Sequence, residues 1–377
     1  MRERSSDNKA VRRVLIISHT YLDPTRRGKL RALAARDLDV TVGVPQRWTD
    51  PALGRPIEAS WERQGTVETF PIPARGRGDV ASVRFGRREL RSLLRDKRPD
   101  LVQVEEEPLF PAAAQVVRAA QRAGIPAVLF TQENVEAPAT LFERWRRRRT
   151  LERVRGVIAG SEAAATLARR HLPGVEVTVV PQLGVAVPPA PDHAYHEGLA
   201  IGCVGRLVAE KGLDTLLEAL AENRGERWHL TVVGEGPERE PLERAASGHR
   251  LAARVRWVGA LPPERIARLW SELDVLVLSS RTRPTWAEPV GQVLMEAMAH
   301  EVAVIGSNSG VIPEVIGEAG LVVPAGDAGA LAAALRRLGT AAARRPLIQA
   351  GRARVMQRFS DDAVAEATMR FWGEILK

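Results

Sequence analysis

The sequence has a single cysteine, few aromatic residues and no long apolar run. Because Cys203 is the only cysteine among 377 residues, no disulfide can form within one chain, which fits a reducing compartment. No apolar stretch approaches the roughly 20 residues of a membrane-spanning helix, and no apolar signal region follows the charged first residues. We therefore expect a cytoplasmic protein that is soluble or peripheral to the inner face of the membrane.

Recognisable metal-binding and nucleic-acid-binding motifs are also missing from the sequence. Neither a His, Cys or Asp cluster with ligand spacing nor an Asp-x-Asp pair is apparent, so we expect no metal and no cofactor. Aromatic residues make up 5% of the chain, and no nucleic-acid motif accompanies its positive charge. Nucleic acid is therefore not an expected partner.

The chain carries a net charge of +9, from 55 basic and 46 acidic residues, and the excess is local. One group of arginines recurs at three- and four-residue spacing, which on a helix gives a basic face with Leu90, Leu93 and Leu94 turned away. Its members are Arg84, Arg87, Arg88, Arg91, Arg95 and Arg98. A second cluster spans residues 144–149. Such faces dock on anionic membrane surfaces or are simply solvated, and the sequence leaves both interpretations open.

Segments typical of buried strands alternate with helical patterns in both halves of the chain. The predicted strands cover residues 11–18, 39–44, 67–70, 100–104, 127–131, 156–159, 177–180, 199–204, 228–233, 255–258, 274–279, 303–305 and 320–323. The proline-rich run 187–192 separates the halves, and residues 360–377 form a last helix. A chain of this length is expected to form two doubly wound α/β domains, 1–188 and 193–359, after a polar tail of about ten residues.

The segment 288–296 sets two carboxylates, Glu288 and Glu296, on either side of a Pro/Gly turn and a helix start. An apolar strand precedes it at residues 274–279, so the motif lies at a strand's carboxyl end. Ligands bind there in open α/β sheets, and the amides near Val290, Gly291 and Gln292 would face a diphosphate. Glu288 would reach sugar hydroxyls, and Glu296 would accept hydrogen bonds from a ribose.

The second half resembles the donor domain of family-4 retaining glycosyltransferases of the GT-B fold. Five motifs carry the resemblance, in order over residues 200–330: Gly205-Arg-Leu-Val-Ala-Glu-Lys-Gly212, Val232-Val-Gly-Glu-Gly-Pro237, Val258-Gly-Ala260, the paired glutamates, and Ser309-Gly-Val-Ile-Pro-Glu314 running to Gly320-Leu-Val-Val-Pro324. Their order and spacing together make the signal specific.

The resemblance implies two Rossmann-like domains facing a central cleft, with the last helix crossing back onto the N-terminal, acceptor-binding domain. It also implies retaining, metal-independent transfer from a UDP-, GDP- or ADP-sugar to a sugar or lipid-linked acceptor. The implied catalytic residues are Arg206, Lys211 and Glu288. The implied donor-binding residues are Gly205, Gly234, Gly236, Gly259, Val290, Gly291, Gln292 and Glu296. Charge development on the leaving diphosphate explains the two cations independently of the resemblance.

The first half departs from the family pattern. Many relatives carry a Gly-Gly loop after the first strand, where this chain offers Gly28, and a histidine after a later strand, where this chain has Gln132. The expected acceptor-binding residues are His19, Gly28, Glu106, Gln132 and Glu133. Three roles are open for the adjacent carboxylates of residues 105–107. They bind acceptor, they are solvated, or they support the start of the next helix.

Two further functions stay open at the level of sequence. Another GT-B enzyme, such as a sugar-nucleotide epimerase, would use the same donor domain without an acceptor. A catalytically silent, membrane-associated homologue would keep only the arginine-rich faces. The intact pair of cations and pair of glutamates in the second half favours the transferase.

Overall fold

The computed structural model describes residues 11–49, 56–76, 80–189 and 197–377. The chain divides into two compact units, unit 1 (Met1–Gly184 with Asp361–Lys377) and unit 2 (Val185–Ser360). The polar tail expected for the first ten residues, and residues 190–192 of the proline-rich run, lie outside the described residues. No helix among the described residues has both the length and the apolar character needed to cross a membrane.

Unit 1 is an α/β unit whose strands and helices alternate along the chain. Its strands are β1 (Arg13–Ile17), β2 (Asp39–Pro45), β3 (Arg47–Thr49), β4 (Pro56–Glu58), β5 (Glu62–Gln64), β6 (Val67–Ile72), β7 (Ala74–Arg75), β8 (Arg84–Phe85), β9 (Leu101–Val104), β10 (Ala127–Thr131), β11 (Gly156–Ala159) and β12 (Val177–Val179). Its first five helices are α1 (Gly28–Ala34), α2 (Arg87–Lys97), α3 (Pro111–Arg122), α4 (Leu141–Leu151) and α5 (Glu162–His171).

The main sheet of unit 1 has the order β12-β11-β10-β9-β1-β2-β6-β5, and only the β5–β6 pair in it is antiparallel. Apart from Arg13 at the exposed start of β1, both β1 and β9 are uncharged and buried, and Gln103 is the one polar residue in the rest of them. Such strands are expected at the centre of a parallel sheet that helices cover on both faces. Local signals fix helix starts: Thr140 and Glu143 form a capping box at α4, and Ser161 caps α5.

Unit 2 is a second, all-parallel α/β unit with the strand order β15-β14-β13-β16-β17-β18. Its strands are β13 (Leu199–Val204), β14 (Trp228–Val233), β15 (Val255–Gly259), β16 (Val275–Leu278), β17 (Ala303–Ser307) and β18 (Leu321–Val323). Its helices are α6 (Leu213–Glu222), α7 (Arg239–Gly248), α8 (Pro263–Leu269), α9 (Gln292–Ala299), α10 (Ile312–Ile316), α11 (Ala328–Arg337) and α12 (Ala341–Arg354). The buried Cys203 lies on β13.

The chain then returns to unit 1 with a last helix, α13 (Asp361–Ile375). Trp372 on this helix is 1% exposed and donates its indole N–H to Gln103 at 2.8 Å. Gly28 at the start of α1 leaves room for Asp361, whose carboxylate would meet a Cβ there at 2.0 Å. The helices α1 and α13, far apart in the sequence, therefore pack together in unit 1.

All thirteen predicted strands are present, with ends that differ from the prediction by no more than two residues. The predicted basic helix is shorter than expected: Arg84 lies on β8, and Arg98 caps α2 in a left-handed conformation. The leucines Leu90, Leu93 and Leu94 are buried as predicted. The short strands β3, β4, β5, β7 and β8 were not predicted, because their sequences are polar and only two or three residues long.

Candidate functional site

Each unit has one place where the order of its parallel strands reverses. In unit 2 the chain leaves β13 through α6 to β14 on one side, and β16 pairs with β13 on the other side. In unit 1 the corresponding strand is β1, between β2 and β9. Ligands of doubly wound sheets bind at the carboxyl ends of such strands. The predicted donor motifs follow β13 and β16, and His19 and residues 105–107 follow β1 and β9.

The switch point of unit 2 brings together Lys211 and Glu288. The Lys211 ammonium donates to Glu288 Oε2 at 2.6 Å, and the side chains are 18% and 6% exposed. Ser280 donates its hydroxyl to the same oxygen at 2.6 Å, and the Lys211 ammonium lies 5.7 Å from the centre of the Trp286 ring. The sequence therefore predicted the ion pair's two members but missed Ser280, for which the only signal is its position after a buried strand.

Backbone contacts hold this ion pair in place. Lys211 ends a short 3₁₀ turn, and the next residue, Gly212, has φ +63°, where a Cβ would lie 2.2 Å from the Ser279 carbonyl oxygen. Ser279 also donates its hydroxyl to the Gly212 carbonyl at 2.8 Å. On the other side, the amide of Val311 donates to the Glu288 carbonyl at 3.0 Å. Backbone contacts with neighbouring segments therefore hold the two loops that carry Lys211 and Glu288.

The predicted donor-binding glycines form a closely packed turn region at the ends of β13, β14 and β15. The amide of Gly205 donates to Val233, and that of Gly234 donates to Gly259, at 2.9 and 2.8 Å. A Cβ on Gly234 would lie 1.8 Å from the Gly205 carbonyl oxygen, and one on Gly236 would lie 2.1 Å from that of Leu207. Backbone can therefore approach a ligand at this edge without side chains in between.

The helix α9 begins where the prediction put it. Gly291 is its N-cap with φ +65°, Val290 precedes it, and Gln292 is its first residue. The first amides of a helix have no partner within it, and they favour an anion. Glu296, the fifth residue of α9, is half-buried. The strand-turn-helix context predicted for the paired glutamates is confirmed.

The two predicted cations of unit 2 differ in environment. Lys211 is half-buried and paired, whereas Arg206 is exposed just after β13 and forms no ion pair with any residue in the described ranges. Among those same residues, no group of three or more His, Cys, Asp and Glu side chains is arranged to hold a metal ion. The positive charge at this switch point comes from the two side chains and from the start of α9.

At the switch point of unit 1, His19 and Glu106 form a hydrogen-bonded pair. His19 donates its backbone amide to Glu106 Oε1 at 3.0 Å, and its Nδ1 lies 2.9 Å from the same oxygen. The imidazole also packs on Trp48, with ring centres 5.4 Å apart. Burial lowers the pKa of His19, but the charge and hydrogen bond of Glu106 outweigh burial, so the pKa lies above its usual value.

The three adjacent glutamates of residues 105–107 each have a separate environment, so the interpretation as solvated residues is wrong. Glu105 is 2% exposed and accepts from the Lys29 ammonium at 2.7 Å. Glu106, 3% exposed, binds His19. Glu107 accepts from the amide of Gln132 at 2.7 Å and from the Thr131 hydroxyl. Burial raises the pKa of Glu107 to about 7, against the lowering effect of these two hydrogen bonds.

The remaining predicted acceptor residues are not all in one place. Gln132 joins this cluster, donating its side-chain amide to Gln182 at 3.2 Å. Glu133 instead pairs with Arg147 of α4, and Glu133 Oε2 lies 3.8 Å from Arg147 Nη1. Gly28 is explained by its packing against Asp361.

Sequence reasoning missed the buried polar cluster beneath His19. Lys29 is 1% exposed, and Glu105 also accepts from Gln103 at 2.6 Å and from Gln182 at 3.1 Å. Because a buried charge needs a partner, these bonds fix the Glu105 side chain at the strand end. No local pattern links Lys29 to a glutamate 76 positions away, so only the fold reveals the pair.

Comparisons with known proteins show which families and folds the chain resembles. A family model described as "Glycosyl transferases group 1" matches residues 192–354, and one described as "Glycosyl transferase 4-like domain" matches residues 24–182. The amylovoran biosynthesis glycosyltransferase AmsK of Erwinia amylovora is 36% identical over 173 residues, which are 44% of this chain and 42% of that protein. The aligned part thus spans less than half the length of that relative.

Solved structures resemble the chain over nearly its whole length. Sucrose-phosphate synthase from Thermosynechococcus elongatus gives a TM-score of 0.72 at 22% identity, covering 97% of this chain and 99% of that one. Anabaena Alr3699/HepE, solved in complex with UDP, gives a TM-score of 0.71 at 16% identity. The match covers 96% of this chain and 100% of that one. At these identities the likeness concerns the fold, and the predicted GT-B class with two Rossmann-like α/β units is confirmed.

Proposed function

The chain belongs to the group 1 glycosyl transferases, and we propose that it moves a sugar from a nucleoside-diphosphate sugar to a hydroxyl acceptor. The Lys211–Glu288 ion pair at the switch point of unit 2 carries this proposal. One member can neutralise a diphosphate and the other can accept hydrogen bonds from a sugar, and 2.6 Å separates them. A donor in which phosphate and sugar are joined by one bond matches such a pair.

The chemistry that the pair supports is departure of the diphosphate. As the bond between the sugar's anomeric carbon and the phosphate oxygen breaks, negative charge grows on that oxygen. Lys211, Arg206 and the first amides of α9 then interact more strongly with the transition state than with the bound donor, which is what raises the rate. The proposed catalytic role of the two cations is therefore electrostatic.

Retention of the anomeric configuration and independence of metal are parts of the same proposal. With two cations at the diphosphate, a divalent ion is not required to neutralise the leaving group. In a front-side reaction the leaving phosphate oxygen takes the proton of the acceptor hydroxyl, so a separate base is not required either. The nucleotide base of the proposed donor is uracil, guanine or adenine. The structure of Anabaena Alr3699/HepE contains UDP.

The acceptor, a glycan or a lipid-linked sugar, is proposed to bind at the switch point of unit 1. His19 and Gln132 are half-buried and offer hydrogen-bonding groups there, while the buried Glu106 and the buried Trp48 ring hold the His19 imidazole in place. Sugar hydroxyls suit such groups, because they donate to an amide carbonyl and accept from imidazole and amide N–H groups.

The experiment that tests the proposed transfer uses Lys211→Gln. Release of nucleoside diphosphate from UDP-, GDP- and ADP-sugars is measured with chelator present. We expect the wild type to turn over one donor, and Lys211→Gln to lower its kcat by about 10²–10³, the usual cost of removing one transition-state donor. Arg224→Gln, which removes an exposed arginine of the same unit, is the matched control and should leave the rate unchanged.

Equal turnover by the wild type and Lys211→Gln would contradict the proposal. Product identity separates the alternatives. An epimerase would convert the donor into an isomeric sugar or free sugar plus nucleotide without an acceptor, whereas a transferase needs an acceptor for its full rate.

A further inference from the structure

A groove on unit 1 is rich in arginine, and we call it the arginine groove. It has a volume of about 1040 Å³ and is formed by α2, α3 and the start of α4. Arg84, Arg87, Arg91, Arg118 and Arg122 are exposed along it. Its far end reaches the amino ends of β1 and β9, opposite to the edge that carries His19 and Glu106. The arginine groove therefore shares no residue with either predicted substrate site.

Most of the arginines in the arginine groove have no counter-charge. Nine of the lining residues are arginines, and the only carboxylate among them is Asp100. Asp100 is already occupied, since it accepts from the backbone amides of Arg12 and Arg13 at 3.1 and 2.9 Å. Three of the nine arginines are ion-paired, namely Arg13 with Asp100, Arg95 with Asp96 and Arg146 with Glu143. Within the described parts of the chain, the other six, among them Arg84, Arg87, Arg91, Arg118 and Arg122, form no ion pair. Arginines held side by side without counter-charges repel one another, so an anionic partner would stabilise them.

The floor and rim of the arginine groove are apolar. Leu90 and Leu94 lie on its floor, and Phe142 and Trp145 of α4 line its rim. Phe142 and Trp145 are 63% and 48% exposed, and the neighbouring Leu141 is 85% exposed. The two aromatic rings stack with centres 5.8 Å apart. Three large apolar side chains exposed on one helix end are costly in water and need a further reason.

We propose that the arginine groove and the exposed end of α4 dock unit 1 on the surface of an anionic phospholipid bilayer. The guanidinium groups would bind headgroup phosphates, in two parallel hydrogen bonds each. Leu141, Phe142 and Trp145 would enter the interfacial layer, where tryptophan and other large apolar residues are stable. A soluble polyanion or a nucleic acid would match the charge but would leave Leu141 in water, so the membrane accounts for both features.

Flotation with lipid vesicles tests the docking on the full chain. The vesicles contain equal parts of phosphatidylglycerol and phosphatidylcholine, or phosphatidylcholine alone. We expect binding to the anionic vesicles, and a loss of about 100-fold in the partition coefficient for Arg87→Gln/Arg91→Gln/Arg118→Gln, from about 1 kcal/mol per arginine at such a surface. These three side chains are exposed and unpaired among the described residues, so the fold should not depend on them.

The matched control is Arg224→Gln/Arg244→Gln/Arg345→Gln, which removes the same charge from exposed positions of unit 2. An equal loss in both triple variants would mean that only net charge matters and would overturn the docking site. Phe142→Gln/Trp145→Gln forms an independent arm: it should release the protein from anionic vesicles at high salt, where apolar insertion carries the binding. Displacement by millimolar inorganic phosphate, or by single-stranded DNA in the presence of excess vesicles, would also overturn the proposal.

Discussion

At the scale of single residues, the Lys211–Glu288 pair sets the charge that a donor would meet. Glu288 is 4% exposed, and Ser280 and Lys211 both donate to one of its oxygens. A diphosphate that binds Lys211 must therefore share the ammonium with this carboxylate. The ion pair holds the lysine side chain in one position, which would reduce the ordering that binding of the proposed donor requires.

Replacing Glu288 by Gln should separate nucleotide binding from turnover. The variant keeps the side-chain shape but removes the charge that competes for Lys211. Affinity for the free nucleoside diphosphate should therefore stay equal or rise, while kcat with the sugar donor should fall by about 10²-fold, as for other lost transition-state contacts. Calorimetric titration and donor turnover measure the two effects. A fall in nucleotide affinity as large as that of Lys211→Gln would contradict the role given to Glu288.

Glu107 makes a pH-dependent contribution to stability. Its pKa rises from 4.5 to about 7 in the folded chain because burial disfavours the carboxylate. Folding therefore favours the protonated carboxyl group. Its contribution to the free energy of unfolding is fully present below about pH 4.5 and is lost as the pH rises through about 7. Between about pH 5 and about pH 8 the free energy of unfolding of the wild type should fall by on the order of 2 kcal/mol relative to that of Glu107→Gln. This figure allows for partial contact of the Glu107 side chain with solvent.

Urea unfolding at several pH values measures this effect. Glu240→Gln removes an exposed glutamate and serves as the control, with a difference from the wild type that stays constant with pH. A pH-independent difference between the wild type and Glu107→Gln would show that Glu107 titrates as an ordinary surface glutamate.

At the scale of elements, the turn after β14 is a tightly constrained part of the proposed donor site. Gly234 has φ +139°, and a Cβ there would overlap the Gly205 carbonyl oxygen at 1.8 Å. Gly234→Ala should therefore destabilise unit 2 by about 1–3 kcal/mol and weaken nucleotide binding, since the turns after β13 and β14 must move apart. Gly225→Ala is the control, because nothing lies within 4 Å of a Cβ at Gly225. Equal unfolding midpoints for the two variants would refute the constraint.

The sequence predicted the parallel strands and the helix that carries Glu296, because buried parallel strands are short apolar runs with clear boundaries. It also predicted which residues follow the strands that meet at the two switch points. It could not predict the antiparallel pair β5–β6, whose polar residues give no period, or the extent of the basic helix. Partners such as Lys29 for Glu105 and Ser280 for Glu288 depend on strand order, which no local pattern contains.

At the scale of the whole molecule, two units with separate hydrophobic cores carry polar groups of different kinds. The core of unit 1 includes Trp372 from the last helix, so residues far apart in the sequence must assemble before it is complete. The cores of unit 2 lie on the two faces of its parallel sheet. The switch point of unit 1 carries three adjacent glutamates with His19 and the buried Lys29, whereas that of unit 2 carries two cations, two glutamates and a helix start. We propose that the first holds a neutral acceptor and the second an anionic donor.

The most direct measurement of the central claim is calorimetric titration of the full chain with UDP, GDP and ADP in the presence of chelator. We predict that one nucleotide binds per chain, with a preference for one base. We also predict that Lys211→Gln weakens this binding by at least about tenfold, the effect of losing a charged hydrogen bond to phosphate. Binding of none of the three nucleotides, or equal binding by the wild type and Lys211→Gln, would contradict the claim that the switch point of unit 2 holds the donor diphosphate.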